Sequence, residues 1–160
     1  MNIAAARELR AEGRHSEAKD LLVELANRAP MDAEIQLQAA CVHDYLGEEA
    51  AAVPYYRAAI AVGLSEEHLR GALLGLGSTY RTLGRFTESE ATLRQGLERF
   101  PEANEFKVFL AMVLHNLGRS KVAVETLLAL LAQTSSDSDI RAYQRAIAFY
   151  AQDIERTWPA

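Results

Sequence analysis

Apolar residues along this chain recur at three- and four-residue intervals rather than at alternate positions, the spacing of helices with one buried face. Leu73, Leu76, Gly77 and Tyr80 form one such stripe. Ile140, Tyr143, Ile147, Tyr150, Ile154 and Trp158 form another, with Arg141, Arg145, Asp153 and Glu155 in the polar remainder. Punctuated by Gly and Pro, the pattern predicts helices at about 2–12, 16–28, 32–45, 49–62, 66–82, 86–99, 104–116, 120–133 and 138–157, with no strand. Pro30 and Pro101 close the second and sixth of these, because proline lacks the donor that a helix interior uses and restricts the residue before it. Asp32, Ser65 and Ser138 stand where a side-chain oxygen caps the helix that follows. Pro54 lies near the start of the fourth helix and predicts a late start or a bend there.

The helices come in repeating pairs. Gly13, Gly47, Gly84 and Gly118 are 34, 37 and 34 residues apart, and each is followed by a similar segment, such as Gly13-Arg14-His15-Ser16-Glu17-Ala18 and Gly84-Arg85-Phe86-Thr87-Glu88-Ser89. A 34-residue self-similarity marks an array of helical hairpins, whose stacked units present an extended surface to another chain. The longer 37-residue interval inserts three residues around Leu64–Leu69, so the next helix starts about a turn early.

Residues 70–103 carry a resemblance to tetratricopeptide repeats. Leu73, Leu76, Gly77, Tyr80, Gly84, Phe86, Leu93 and Pro101 occupy that family's pattern, with Ser89 and Gly96 in places usually held by alanine. Ala18 and Pro30, then Ala40, Ala52, Tyr56 and Ala59, then Ala111, Ala123 and Leu127 match in the other units. The resemblance implies an all-α, right-handed superhelical array of antiparallel hairpins forming one domain over 1–160. Its units are expected at about 1–30, 33–66, 70–103 and 104–137, with a capping helix at 138–157.

In tetratricopeptide repeats a second stripe on each first helix lines a concave groove. Carried over by position, it comprises Ile3, Arg7 and Arg10; Leu37, Cys41 and Asp44; Leu74, Ser78 and Arg81; Val108, Met112 and His115, with Ala142, Ala146 and Phe149 from the capping helix. Three arginines beside four apolar side chains suit a partner segment with hydrophobic anchors and an acidic group. Gly71, Gly75 and Ser78 place small side chains on successive turns, admitting either a partner backbone or a neighbouring helix. Family members that clamp the C-terminal carboxylate of heat-shock chaperones carry lysine and asparagines on this stripe. Here Ile3, Arg7, Leu37, Cys41, Leu74 and Ser78 stand instead, so that activity is not implied.

Composition narrows the partners. The 160 residues are 49% hydrophobic and 24% charged, which is globular, and the net charge is −5. Residues 31–69 hold seven acidic side chains against Arg57 alone, and no basic stripe of the kind that binds nucleic acid appears. Cys41 is the one cysteine, which fits a reducing compartment, and no apolar run approaches the ~18 residues of a membrane span. The N-terminal apolar run is too short for a secretory signal, and a cytoplasmic location is expected.

Chemistry is sparse. His15, His43, His68 and His115 are scattered, and Cys41 and His43 point ~200° apart on one helix, so no metal site is expected. Gly75-Leu76-Gly77 lies inside a helical pattern and is no phosphate loop. Cys41 reads as a small apolar residue, and Glu48 with Glu49 as complements to a helix dipole. No general acid or base, and no cofactor, is expected. The leading expectation is a non-enzymatic scaffold that binds a peptide or protein segment in the groove. The alternatives are a chaperone for a secreted substrate and a protein that self-associates through its apolar groove or its aromatic last helix.

Overall fold

The computed structural model describes residues 2–159, and among these every regular element is a helix. They are α1 (Ile3–Ala11), α2 (His15–Arg28), α3 (Ala33–Tyr45), α4 (Glu49–Val62), α5 (Glu66–Thr82), α6 (Phe86–Arg99), α7 (Asn104–Asn116), α8 (Ser120–Thr134), α9 (Ser138–Ala142) and α10 (Gln144–Tyr150). The chain gathers into two compact units, the first running to Thr92 and the second starting at Leu93.

One turn recurs. After α1, α3, α5 and α7 the backbone passes through Gly13, Gly47, Gly84 and Gly118 at φ of +78°, +72°, +72° and +78°. The next residue then donates its N–H back into the helix: Arg14 to Leu9, Glu48 to His43, Arg85 to Tyr80 and Arg119 to Leu114, at 2.8 to 2.9 Å. These bonds satisfy carbonyls that a helix end leaves orphaned, and only glycine enters the left-handed region without strain. The interval between glycines is therefore the interval between identical reversals.

Small residues then meet where the two helices of a hairpin cross. Ala18, Ala40 and Ala52 are fully buried, and Ala6, Ala111 and Ala123 nearly so. In the third hairpin the pair is Gly77 and Ser89, and the Ser89 hydroxyl donates to the Gly77 carbonyl at 2.6 Å. Without a Cβ at Gly77 the helices come close enough for that bond, which in turn satisfies a hydroxyl with no access to water.

In the first unit each helix from α1 to α5 packs on the next. Ala6, Leu21, Leu22, Ala26 and Val42 fill the space among α1, α2 and α3, while Leu37, Val53, Tyr56, Leu76 and Tyr80 fill that among α3, α4 and α5. Buried Gln36 donates to the carbonyls of Ala26 and Pro30, so the end of α2 is held against α3. Asp32 caps α3, and Ser65 caps α5, which at 17 residues is the longest helix and begins a turn early, as the 37-residue interval implies. The fourth helix does not start late: it begins at Glu49 and carries Pro54 in its second turn. Ala50, the residue whose carbonyl loses its partner there, is exposed together with Pro54, so water can serve it.

In the second unit α8 packs on α7 and on α10. Phe106, fully buried, lies against Gly96, where an added Cβ would stand 2.1 Å from the ring. The single helix expected over 138–157 is instead two short ones, broken at Tyr143, with no helix after Tyr150. Side chains expected on its solvent face account for this. Lys121 of α8 draws Asp153 to 2.6 Å and Glu155 to 3.5 Å, and the Ile154 N–H donates to Glu125, so the last segment unwinds to meet α8. Asp137, rather than Ser138, caps α9 by accepting from Asp139 and Ile140.

Candidate functional site

Four residues of the expected stripe converge. Arg10 of α1, Cys41 and Asp44 of α3, and Ser78 of α5 border one cavity of about 460 Å³ in the first unit. Cys41 and Asp44 are three residues apart, as a shared helix face requires, and Ser78 shares its own face with Thr82 four residues on. Tyr45, Glu49, Tyr56, Thr79 and Thr82 complete the lining, and the sequence pattern did not single these out for the site. Thr79 and Tyr45 sit one residue from the stripe members Ser78 and Asp44 and border the same space.

Asp44 organises the polar contacts. The Tyr56 hydroxyl donates to it at 2.8 Å, and Thr79 Oγ1 lies 2.8 and 2.9 Å from its two oxygens. Thr79 Oγ1 is also 2.8 Å from the Gly75 carbonyl. A hydroxyl carries one proton, so Thr79 can serve the carboxylate or the carbonyl but not both at once. With a proton on Asp44 every contact is satisfied: Asp44 donates to Thr79, Thr79 to Gly75, and Tyr56 to the other carboxyl oxygen. Burial pushes the Asp44 carboxyl above the usual range, against the pull of the Thr79 and Tyr56 hydrogen bonds, and nearby Glu49 adds to the rise. Burial thus favours the acid form while the two hydroxyl hydrogen bonds favour the carboxylate, and burial is the larger effect. The three helices α3, α4 and α5 are tied at this one side chain.

Cys41 Sγ is 3.9 Å from the Tyr56 hydroxyl. Burial pushes its thiol up, outweighing the positive charge of Arg10, so it is held as a thiol rather than a nucleophilic thiolate. Burial likewise pushes the Tyr56 phenol well above its usual value.

The other expected site residues divide. Arg7 pairs with Glu34, and Arg10 donates to Gln38 Oε1 at 2.6 Å, so both arginines lace α1 to α3. Arg7 thereby has an acidic partner within the chain, and Arg10 a neutral one. Leu37 is only 6% exposed and belongs to the core, because it points between α4 and α5 rather than outward. Leu74 and Arg81 are half-buried on α5. In the second unit Val108, Met112 and His115 share a face of α7: Val108 and His115 are exposed, Met112 is half-buried, and His115 Nδ1 is 2.9 Å from Ser120 Oγ. Ala142, Ala146 and Phe149 are exposed, now on two separate helices.

Two small-residue and acidic positions also resolve. Tyr56 takes the space beside Gly75, where a Cβ would stand 2.5 Å from its hydroxyl oxygen, whereas nothing approaches Gly71. Glu48 does more than complement a dipole: it accepts from Lys19 at 2.7 Å and pairs with buried His43 at 2.6 Å. Lys19 first, and His43 after it, hold its carboxyl below the usual range.

Among the described residues no three His, Cys, Asp or Glu side chains come together as metal ligands, and no helix is long and apolar enough to cross a membrane. No curated protein matches the chain. A family model described as Tetratrico peptide repeat matches residues 33–154, a span that holds three of the four glycine reversals and the small-residue crossings beside them. With that match laid over the recurring turns, the chain belongs to the tetratricopeptide repeat family.

Proposed function

We propose that this chain is a non-enzymatic interaction module that holds a segment of a protein partner on the face shared by α1, α3 and α5. The cavity bordered by Arg10, Asp44 and Ser78 is its anchor point. The observation that carries this reading is the convergence of one stripe from three successive hairpins on a cavity of about 460 Å³, within the ~300–1,000 Å³ typical of binding pockets. Tetratricopeptide repeats generally mediate protein–protein interaction, which supports it. The lining supports holding rather than turnover: Cys41 is kept as a thiol, and Asp44 is engaged with two hydroxyls. Ser78, Thr82 and the exposed Tyr45 ring offer hydrogen bonds and an aromatic face to a side chain that enters. A single thiol suits a reducing compartment, and we place the module in the cytoplasm.

Filling the cavity tests this. Affinity capture from native lysate is compared for the wild type, Ser78→Trp and the exposed control Arg57→Ala. A partner band held by the wild type and by Arg57→Ala, and lost from a Ser78→Trp variant of unchanged helicity and melting, is the expected result. Equal capture by Ser78→Trp would overturn the site.

A further inference from the structure

Nine of the thirteen large apolar side chains exposed among the described residues lie between Val122 and Trp158, so the last quarter of the chain carries most of its bare apolar surface. Three of them form one cluster: the Phe149 ring is 5.6 Å from both Tyr150 and Trp158, and Tyr150 is 5.9 Å from Trp158. Each is still more than half open to solvent. On α8, the helix against which α10 packs, Val124, Leu127 and Leu131 share a second open face, spaced three and four residues apart.

An aromatic side chain has ~150–250 Å² to hide. At 53%, 53% and 52% exposure, Phe149, Tyr150 and Trp158 leave roughly 240–400 Å² bare. That alone reaches the lower part of the ~300–600 Å² of a typical monomer's largest patch, before the α8 side chains are added. Against a second copy the three aromatics would bury roughly 500–800 Å², and the α8 aliphatics carry the total to about 1,000 Å², the size of a weak, reversible interface.

The surrounding charge favours a second copy over a charged partner. From Ser120 to Trp158 the chain holds Lys121, Arg141, Arg145 and Arg156 against five acidic side chains, a near balance of both signs. A strongly acidic or basic partner would meet repulsion from half of these groups. The same surface turned through a two-fold axis meets opposite charges as readily as like ones. Arg156, 5.2 Å over the Trp158 ring, adds the arginine–aromatic pairing common at the centres of interfaces.

We infer that α8, α10 and the Trp158 segment form a self-complementary face through which two copies of this chain pair about a two-fold axis. The inference is independent of the cavity on α1, α3 and α5.

Sedimentation velocity of the full chain between about 1 and 500 µM brackets a dimer of ~10 µM affinity. Trp158 is the sole tryptophan, so its emission reports the same event. The expected result is a concentration-dependent monomer–dimer equilibrium in which Trp158 emission moves to the red on dilution with the same midpoint. Phe149→Glu and Leu127→Glu should each raise the dissociation constant at least tenfold. A strict monomer throughout, or a dimer indifferent to both substitutions, would overturn the inference. So would a monomer whose Trp158 emission shifts only on vesicles of mixed neutral and anionic lipid, which would give the face to a membrane surface. The wild-type measurement stands on its own, should either variant fold poorly.

Discussion

Two glycines four residues apart on α5 are expected to respond in opposite directions to the same substitution. In Gly75→Ala the new Cβ would lie 2.5 Å from the Tyr56 hydroxyl oxygen and 2.7 Å from the ring carbon that carries it. Non-bonded heavy atoms prefer ~3.5–4.0 Å, so the ring must retreat by about 1 Å. Tyr56 is 4% exposed and has little room to do so. Overpacking of this kind costs ~1–3 kcal/mol. Dragging the phenol from Asp44 forfeits a hydrogen bond to a carboxyl group, worth ~1.5–3 kcal/mol if that group is charged and less if it is protonated. Alanine returns ~1 kcal/mol of helix propensity. The balance is a loss of about 3 kcal/mol, or ~6–12 °C in melting temperature for a chain of this size. Gly71→Ala meets nothing within 4 Å and should gain ~0.5–1 kcal/mol. Urea titration followed by far-UV circular dichroism reads both. Stabilisation by Gly75→Ala, or equal responses from the two variants, would refute the account of Tyr56 as the side chain that occupies the space beside α5.

The remaining expectations concern one titration and two local contacts. Because burial raises the Asp44 carboxyl, the folded chain binds that proton more tightly than the unfolded chain. The stability it contributes is fully present below the ordinary value of 3.8 and is lost as pH rises through the raised folded value. Asp44→Asn, which can still accept from Tyr56 and can donate to Thr79, should therefore gain on the wild type as pH rises from 3 to 7 in urea titrations. A shrinking difference over that range would contradict the assignment. Gly96→Ala drives a Cβ to 2.1 Å from the buried Phe106 ring and should cost ~1–2 kcal/mol net, measured by the same titration. Asp32→Ala removes an acceptor for Glu34 and Ile35 at 3.1 and 3.0 Å, with an expected loss of about 1 kcal/mol in thermal melts.

The helices from α1 to α8 were legible because their signals are local. A glycine that must adopt positive φ, a proline after the last turn and an aspartate at a cap act within a few residues, and Gly47, Pro101 and Asp32 stand where the structure uses them. Small residues such as Ala18 and Ala52 were legible for the same reason, since the hairpin repeats. The last segment was not, because Asp153 and Glu155 are decided by Lys121, more than thirty positions away on another helix. The candidate site lies between these cases. The stripe carried over from tetratricopeptide repeats put Arg10, Cys41, Asp44 and Ser78 on one surface, but it could not show that Leu37 turns into the core or that Glu34 and Gln38 already hold the arginines. The role of Tyr56, matched by the family pattern as a packing residue, became visible only when its hydroxyl was found on Asp44.

The central claim is that a partner segment lies on the face of α1, α3 and α5 and enters the cavity beside Ser78. A photo-activated cross-linking amino acid placed at position 78, compared with one at the exposed position 57 on α4, measures this in the cell of origin. The account predicts a discrete cross-linked protein from position 78 and none from position 57. Cross-links of equal yield from both, or from position 57 alone, would contradict it.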